Sequence, residues 1–364
     1  MRVALIDGGS FVLPYDYQLA ETLAAQGAEV EFHGSRTRYN GELLEAMRRL
    51  PGVTVHDRAL SRTVAPRWKG LLGYLALWCG LWLRRRRFDA FNLQFSAGWP
   101  LELPFLWALR ERLVFTIHNA VPHDFAGRRH APTERIARLA RTLVFVSRFS
   151  HDDFIARYGE AFRAKSRVLA IGLTPVVPGL APVPYRPAGP PEALVYWSTV
   201  KPYKGVELFA ELARSPRIRE AGLGLEVHGA WAPELAGLRS ELQALGVRIE
   251  DRYLDASELL RLLARNVVFL LPYRAATQSA ALFSLLHHGR VFLATDVGDL
   301  GDFLRRSGLQ ALLLAEPTAD AVADALARLR RDPAGIAAAL QAAQDASAWS
   351  ITNAGIAAIY AGKA

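Results

Sequence analysis

From one end of the chain to the other, apolar runs about as long as a β-strand alternate with longer segments of helical periodicity, and the series runs twice. This constrains the fold more than any other feature, because each parallel strand pair needs a crossover and a helix is the usual one. In the first half the spacing predicts strands at Arg2–Asp7, Ala28–Phe32, Val53–Val55, Ala90–Phe95, Leu113–Ile117, Thr142–Val146 and Arg167–Ile171. Helices are expected between them at Tyr15–Gln26, Gly41–Leu50, Leu103–Arg110, Thr133–Ala140 and His151–Tyr158. From Thr174 to Pro191 prolines crowd the chain, at Pro175, Pro178, Pro182, Pro184, Pro187, Pro190 and Pro191, too densely to continue a helix or feed a ladder. The alternation then restarts, with strands expected at Ala193–Ser198, Leu223–His228, Val247–Ile249, Val267–Leu271, Val291–Thr295 and Ala311–Leu314. The expected organisation is a first domain over 1–173, a proline-rich linker over 174–191 and a second domain over 192–364, with the last helix free to pack back on the first. The fold class is α/β: two doubly wound, Rossmann-like domains facing each other across a cleft. Open parallel sheets bind ligands at the carboxyl ends of their strands, so the cleft is the expected site.

Composition narrows the partners. Hydrophobic residues make up 51% and charged residues 22%, which excludes a disordered chain or a disulfide scaffold. Cys79, the single cysteine, reads as a core residue in a reducing compartment. The apolar stretch from Gly70 to Leu83 is too short to cross a bilayer, and the start of the chain lacks the pattern of a signal peptide. The expected location is therefore cytoplasmic. Net charge is +9, carried almost wholly by arginine because the chain has only five lysines, and it favours anionic partners. No nucleic-acid module accompanies that charge. The tryptophans and the arginine block over 68–87 suit either an anionic membrane face or a buried helix.

Four short motifs fall at expected strand ends. Asp7-Gly8-Gly9-Ser10 follows the first strand; Gly8 and Gly9 would keep that loop low beside a ligand. It lacks the later glycines of a dinucleotide fingerprint. His118-Asn119 and then His123-Asp124 put two imidazoles, an amide and a carboxylate after another strand, without a third ligand at zinc spacing. Lys201-Pro202-Tyr203-Lys204-Gly205 holds two of the five lysines between a strand and a helix, an arrangement suited to phosphate. Pro272-Tyr273 and Thr277-Gln278-Ser279 would supply the other half of a diphosphate cradle at a helix start.

Together with Ala294-Thr295-Asp296-Val297-Gly298, these motifs resemble, in order and over nearly the whole chain, the GT-B glycosyltransferases of the group 1 (family 4) kind. The resemblance implies a nucleoside diphosphate sugar as donor, of UDP or GDP type, with no metal and no further cofactor. It implies donor contacts from Gly8, Gly9, Asn119, Lys201, Lys204, Tyr273, Thr277, Gln278 and Ser279, and places His118 at the donor sugar. Two departures stand out. Ala276 and Ser284 occupy the places of a glutamate pair found in well-known retaining members, and Lys201 replaces an arginine.

The expected function is hexosyl transfer, retaining in preference to inverting, to a glycan or lipid-linked acceptor of a bacterial surface polysaccharide. Lys201, Lys204 and the Ser279 helix start would stabilise the departing diphosphate. An inverting reaction would need a base, for which Asp16, Asp124 and His123 are the candidates beside His118. The alternatives are a noncatalytic sugar-nucleotide binding protein and a sugar-nucleotide epimerase.

Overall fold

The computed structural model describes residues 1–58, 67–96, 100–121, 129–186, 189–276 and 278–362. The chain forms two compact units, one made of Met1–Ile171 with Trp349–Ala364, the other of Gly172–Ala348.

In the first unit the elements run β1 (Arg2–Ile6), α1 (Leu13–Ala25), β2 (Glu29–His33), α2 (Gly41–Arg48), β3 (Val53–His56), α3 (Arg67–Leu83), β4 (Ala90–Leu93), α4 (Leu103–Leu109), β5 (Leu113–Ile117), α5 (Ala131–Leu139), β6 (Thr142–Phe145), α6 (Arg148–Tyr158) and β7 (Ser166–Val168). The sheet is parallel, in the order β3-β2-β1-β4-β5-β6-β7. Central strands such as β1 and β5 are buried along almost their whole length and mostly apolar, as expected where both faces are covered, whereas β3 at the edge alternates half-buried and exposed residues. Strand order reverses between β1 and β4, which opens a crevice at their carboxyl ends.

Helix α3 buries one face and exposes the other. Tyr74, Trp78 and Leu81 enter the core beside Phe105 and Phe91, while Trp68, Leu71, Leu72, Trp82 and Leu83 are exposed. Cys79 is exposed, not core. It follows Trp78 in a helix whose inward face is set by positions 74, 78 and 81, so it turns the other way.

The second unit repeats the plan: β8 (Ala193–Trp197), α7 (Leu208–Arg214), α8 (Pro216–Glu220), β9 (Gly224–His228), α9 (Ala236–Ala244), β10 (Arg248–Glu250), α10 (Ala256–Ala264), β11 (Val267–Leu271), α11 (Ala280–His287), β12 (Phe292–Thr295), α12 (Gly298–Arg306), β13 (Leu313–Leu314), α13 (Ala319–Arg331) and α14 (Pro333–Ala346). Its sheet is parallel in the order β10-β9-β8-β11-β12-β13, with the reversal between β8 and β11. The proline-rich segment is tied into this unit. Thr174 N–H donates to the Phe283 carbonyl (3.4 Å), Val183 N–H to that of His287 (2.8 Å), and Gln344 Nε2 to that of Val183 (2.9 Å).

The last two helices, α15 (Trp349–Thr352) and α16 (Ile356–Ala361), belong to the first unit. Trp349 meets Tyr15 edge-on at 5.4 Å, Asn353 Nδ2 donates to the Ala170 carbonyl (3.2 Å), and Arg141 donates to the Tyr360 carbonyl (2.7 Å).

Candidate functional site

In the second unit the loops after β8 and β11, the strands at the reversal, are stitched together. Gly205 is left-handed (φ 69°), and a Cβ built on it would lie 1.8 Å from the Pro272 carbonyl oxygen. Only glycine fits there, on both counts. Arg274 N–H donates to the Tyr203 carbonyl (2.8 Å), and Thr295 Oγ1 donates to the Tyr273 carbonyl (2.5 Å) from the end of β12.

That stitching seats Lys204. Its ammonium lies 3.7 Å from the centroid of the buried Tyr273 ring and 5.3 Å from that of Tyr203. The residue is 9% exposed, and it makes no ion pair among the described residues. A cation–π contact is worth ~2 kcal/mol when desolvated. Taking an ammonium out of water costs several kcal/mol, so the contact alone leaves a deficit that an anionic ligand would remove. Tyr273 adds a hydroxyl that is buried with no hydrogen-bond partner among the described residues.

The two lysines of the motif part company: Lys201 is exposed. One expectation needs correcting. Lys204 and Gly205 do not open a helix; Lys204 ends a single 3-10 turn (Pro202–Lys204), and α7 begins only at Leu208. Gly205 breaks the run because its left-handed backbone cannot continue a helix.

The polar helix start lies on the β11 side. Ser279, 4% exposed, caps α11 by accepting from Leu282 N–H (3.3 Å), with Gln278 half-buried before it. Asp299 N–H donates to the Ala276 carbonyl (3.1 Å) and ties this loop to α12. Thr277 lies outside the described residues. Ala276 and Ser284 are both buried.

In the first unit β4 and β5 and the residues just past them carry a buried polar chain. Asn92 Nδ2 donates to Thr116 Oγ1 (2.8 Å), Gln94 Nε2 donates to Asn92 Oδ1 (2.5 Å), and Gln94 Oε1 faces His118 Nε2 at 2.8 Å. Because the Gln94 amide nitrogen is already committed, its oxygen accepts, which places the His118 proton on Nε2. His118 is stacked on Phe95 (4.8 Å, 10°) and meets Tyr15 edge-on (5.2 Å). Burial lowers its pKa to about 3, so the ring is neutral at physiological pH. Asn119 is half-buried beside it, and His123 and Asp124 lie outside the described residues.

The Asp7–Ser10 turn closes under this chain. Gly8 accepts from Ser35 Oγ (2.6 Å), and a Cβ on Gly9 would lie 2.4 Å from the ring of Phe11, an exposed side chain. Asp7 accepts from Val12 N–H (3.0 Å) and faces Asp16. Burial raises both carboxyl pKa values, that of Asp16 well above the usual range and further because Asp7 is next to it. Each buried carboxyl disfavours ionisation of the other. The sequence reading missed this pair, along with Gln94 and Phe95. Asp7 was visible as part of the glycine turn, but nothing linear joins residue 94 to residue 118.

Comparisons with known proteins follow this geometry. Residues 15–173 match the family model described as Glycosyltransferase Family 4, and residues 191–332 match that described as Glycosyl transferases group 1. No curated protein sequence matches significantly. Among solved structures, sucrose-phosphate synthase from Thermosynechococcus elongatus is 19% identical (TM-score 0.69), with 99% of this chain and 98% of that one covered. HepE from Anabaena, in complex with UDP and glucose, is 16% identical (TM-score 0.65), with 98% of each chain covered. The lipopolysaccharide outer core galactosyltransferase WaaB in its apo form is 14% identical (TM-score 0.62), with both chains covered fully at 100%.

Proposed function

This chain belongs to the family 4, group 1 glycosyltransferases of GT-B fold, and from that premise we propose that its second unit holds a nucleoside diphosphate sugar while its first unit presents the acceptor. One observation carries the donor assignment: a covered Lys204 ammonium, seated on Tyr273 at the strand reversal, with no carboxylate partner among the described residues. A diphosphate supplies the missing charge, and the amino end of α11 adds backbone donors for it. The HepE structure holds UDP and glucose, which supports a UDP-type donor over a GDP-type one.

In the reaction the bond from the anomeric carbon to the diphosphate oxygen breaks, with its electron pair leaving on the diphosphate. The acceptor oxygen bonds to that carbon and gives up its proton. Lys204 and the Ser279 helix start stabilise the charge growing on the diphosphate, and Lys201 adds a solvated cation at the rim. The roles assigned to Gly8, Gly9 and Asn119 are with the donor sugar, and those assigned to Tyr273, Thr277 and Gln278 are with the nucleotide. His118, neutral and pinned by Gln94, orients sugar hydroxyls.

Retention is the stereochemical reading. The described candidates for a general base are poorly suited to that role: Asp16 is buried with its pKa raised, and His118 is neutral far below physiological pH. Asp124 and His123 remain the bases that an inverting reaction would use. The fixed cation supports stabilisation of the leaving group without a metal.

For the acceptor we infer a lipid-linked or polysaccharide precursor of a bacterial surface glycan, met at the inner face of the cell membrane. No helix among the described residues is long and apolar enough to cross a membrane. The exposed face of α3 supports contact with a membrane surface instead. Lys69 sits over Trp68 (5.4 Å) and Arg85 over Trp82 (4.9 Å), and just past neighbouring α4 Arg110 sits over the exposed Trp107 (4.5 Å).

The test is sugar transfer assayed with UDP- and GDP-sugars, with product configuration read by NMR and co-sedimentation with anionic vesicles measured alongside. Binding of the donor without turnover, with or without acceptors, would move the reading to a noncatalytic binding protein. Conversion of the donor sugar to its epimer would move it to an epimerase.

A further inference from the structure

We propose that Glu31, His33 and His56 form a binding site for one divalent transition-metal ion, zinc being the best fit, which clamps the edge strand β3 to β2.

Glu31 and His33 lie two residues apart on β2 and therefore share a face of the sheet. His56, the last residue of β3, is the register partner of His33, and the two imidazoles stack at 4.7 Å and 12°. Glu31 Oε2 lies 3.6 Å from His33 Nε2 and 3.7 Å from His56 Nε2. The three candidate ligand atoms all fall within 4.8 Å of one another. Tetrahedral zinc with ligands at about 2.0–2.1 Å needs donors roughly 3.4 Å apart, so a small turn of the rings closes the set. Two imidazoles and one carboxylate suit zinc, cobalt or nickel far better than magnesium or calcium.

Two independent observations mark this as a built site. His33 Nε2 is buried without a hydrogen-bond partner among the described residues, Glu31 Oε2 standing 3.6 Å away, in a residue only 4% exposed. It borders a cavity of about 290 Å³ under α3, whose lining face is small because it carries Gly73, Ala76 and Gly80. That leaves room for a water as fourth ligand.

The second unit shows what the arrangement looks like when no metal is needed. There Glu226 and His228 repeat the same strand pattern on β9, but His228 Nε2 bonds Glu226 directly at 2.8 Å, and Arg265 closes the carboxylate with two bonds of 2.8 Å. In the first unit the pair stands open and a second histidine has been added. Arg84 (2.9 and 3.2 Å) and Arg2 (3.3 Å) hold the Glu31 carboxylate, leaving lone pairs for a metal. The site serves stability at the strand edge and takes no part in sugar transfer.

The experiment uses the full chain without a histidine tag, stripped with chelator and titrated with zinc chloride by calorimetry and with cobalt(II) by visible absorption. Expected are one zinc per chain, cobalt bands of a low-coordinate N/O site, and a melting temperature that rises with zinc. His56 is half-exposed, so His56→Ala should fold, and a thermal melt verifies this. It should weaken zinc binding by more than the roughly 10–100-fold that loss of an outer-shell partner costs, and abolish the shift in melting temperature. Glu31→Gln should weaken binding in the same direction, and Cys79→Ser should leave it unchanged. No zinc uptake by the wild-type chain, or equal uptake by the folded His56→Ala variant, overturns the proposal.

Discussion

Replacing Lys204 with methionine separates binding from folding. Methionine keeps the length and apolar contact of the side chain over Tyr273 and removes only the charge. In the free protein two effects oppose each other: a cation–π contact of ~2 kcal/mol is lost, and the several-kcal/mol cost of a covered ammonium is relieved. The free variant should therefore melt at or above the wild-type temperature. With ligand the balance reverses. A hydrogen bond to a charged group is worth about 1.5–3 kcal/mol, and a loss of ~2 kcal/mol weakens nucleoside diphosphate binding about 30-fold. At a concentration about 100 times the wild-type Kd, the ligand stabilises the wild type by ~2.7 kcal/mol; at that same concentration, now only about three times its own Kd, the variant gains ~0.9 kcal/mol. Turnover should fall by about 10²–10³, the range for losing one preorganised contact to a developing anion. The assay is thermal shift with and without UDP, paired with steady-state kinetics. A UDP-induced shift equal to that of the wild type, or unchanged turnover, would refute the reasoning. So would a collapse of the free variant, since Lys204 would then be a structural residue.

Gly205→Ala puts a Cβ onto the Pro272 carbonyl in a left-handed backbone, so it should cost at least about 3 kcal/mol in chemical denaturation and disable donor binding in whatever folds. Tyr273→Phe removes a buried hydroxyl that has no partner among the described residues while keeping the ring under Lys204; stability should hold or rise by about 1 kcal/mol, with UDP affinity preserved. Because the folded pKa of His118 lies at about 3 against an ordinary 6.5, the unfolded state binds the proton first. Its contribution is full above 6.5 and is lost as pH falls toward 3, and the rate profile from about pH 5 to 8 should contain no His118 limb, which His118→Gln kinetics would reveal by an unaltered profile shape. Glu226 is held down to about 2, first by its hydrogen bond from His228 and then by Arg265, so its stabilisation is present above 4.5 and is lost as the pH drops through that interval; an acid melt of Glu226→Gln should lack this component.

The alternation of apolar runs was enough to read thirteen parallel strands in two sheets, since strands buried on both faces cannot hide their apolar character. Helix ends differ by up to three residues, as at α6, expected from His151 and observed from Arg148, because the residues flanking a cap are compatible with either state. Helix α14 has a legible start in Asp332 followed by Pro333, with the Asp332 side chain accepting from Gly335 N–H at 2.8 Å. The short α8 has no amphipathic period to read.

At the sites the division is similar. Lys204, Tyr273, Ser279 and His118 were legible because turns after strands carry function and because lysine is scarce in this chain. Linear spacing could not show that Lys204 would be covered and Lys201 exposed, a distinction made by the approach of the Pro272 carbonyl to Gly205. Nor could it show that Gln94 would fix the His118 tautomer, that Asp7 and Asp16 would be buried near each other with raised pKa values, or that His33 and His56 would stack across two strands. Periodicity is a property of neighbours along the chain, and it determined the elements and their order. Which polar groups lose water together depends on strands brought side by side from distant parts of the sequence, and only the folded packing decided that.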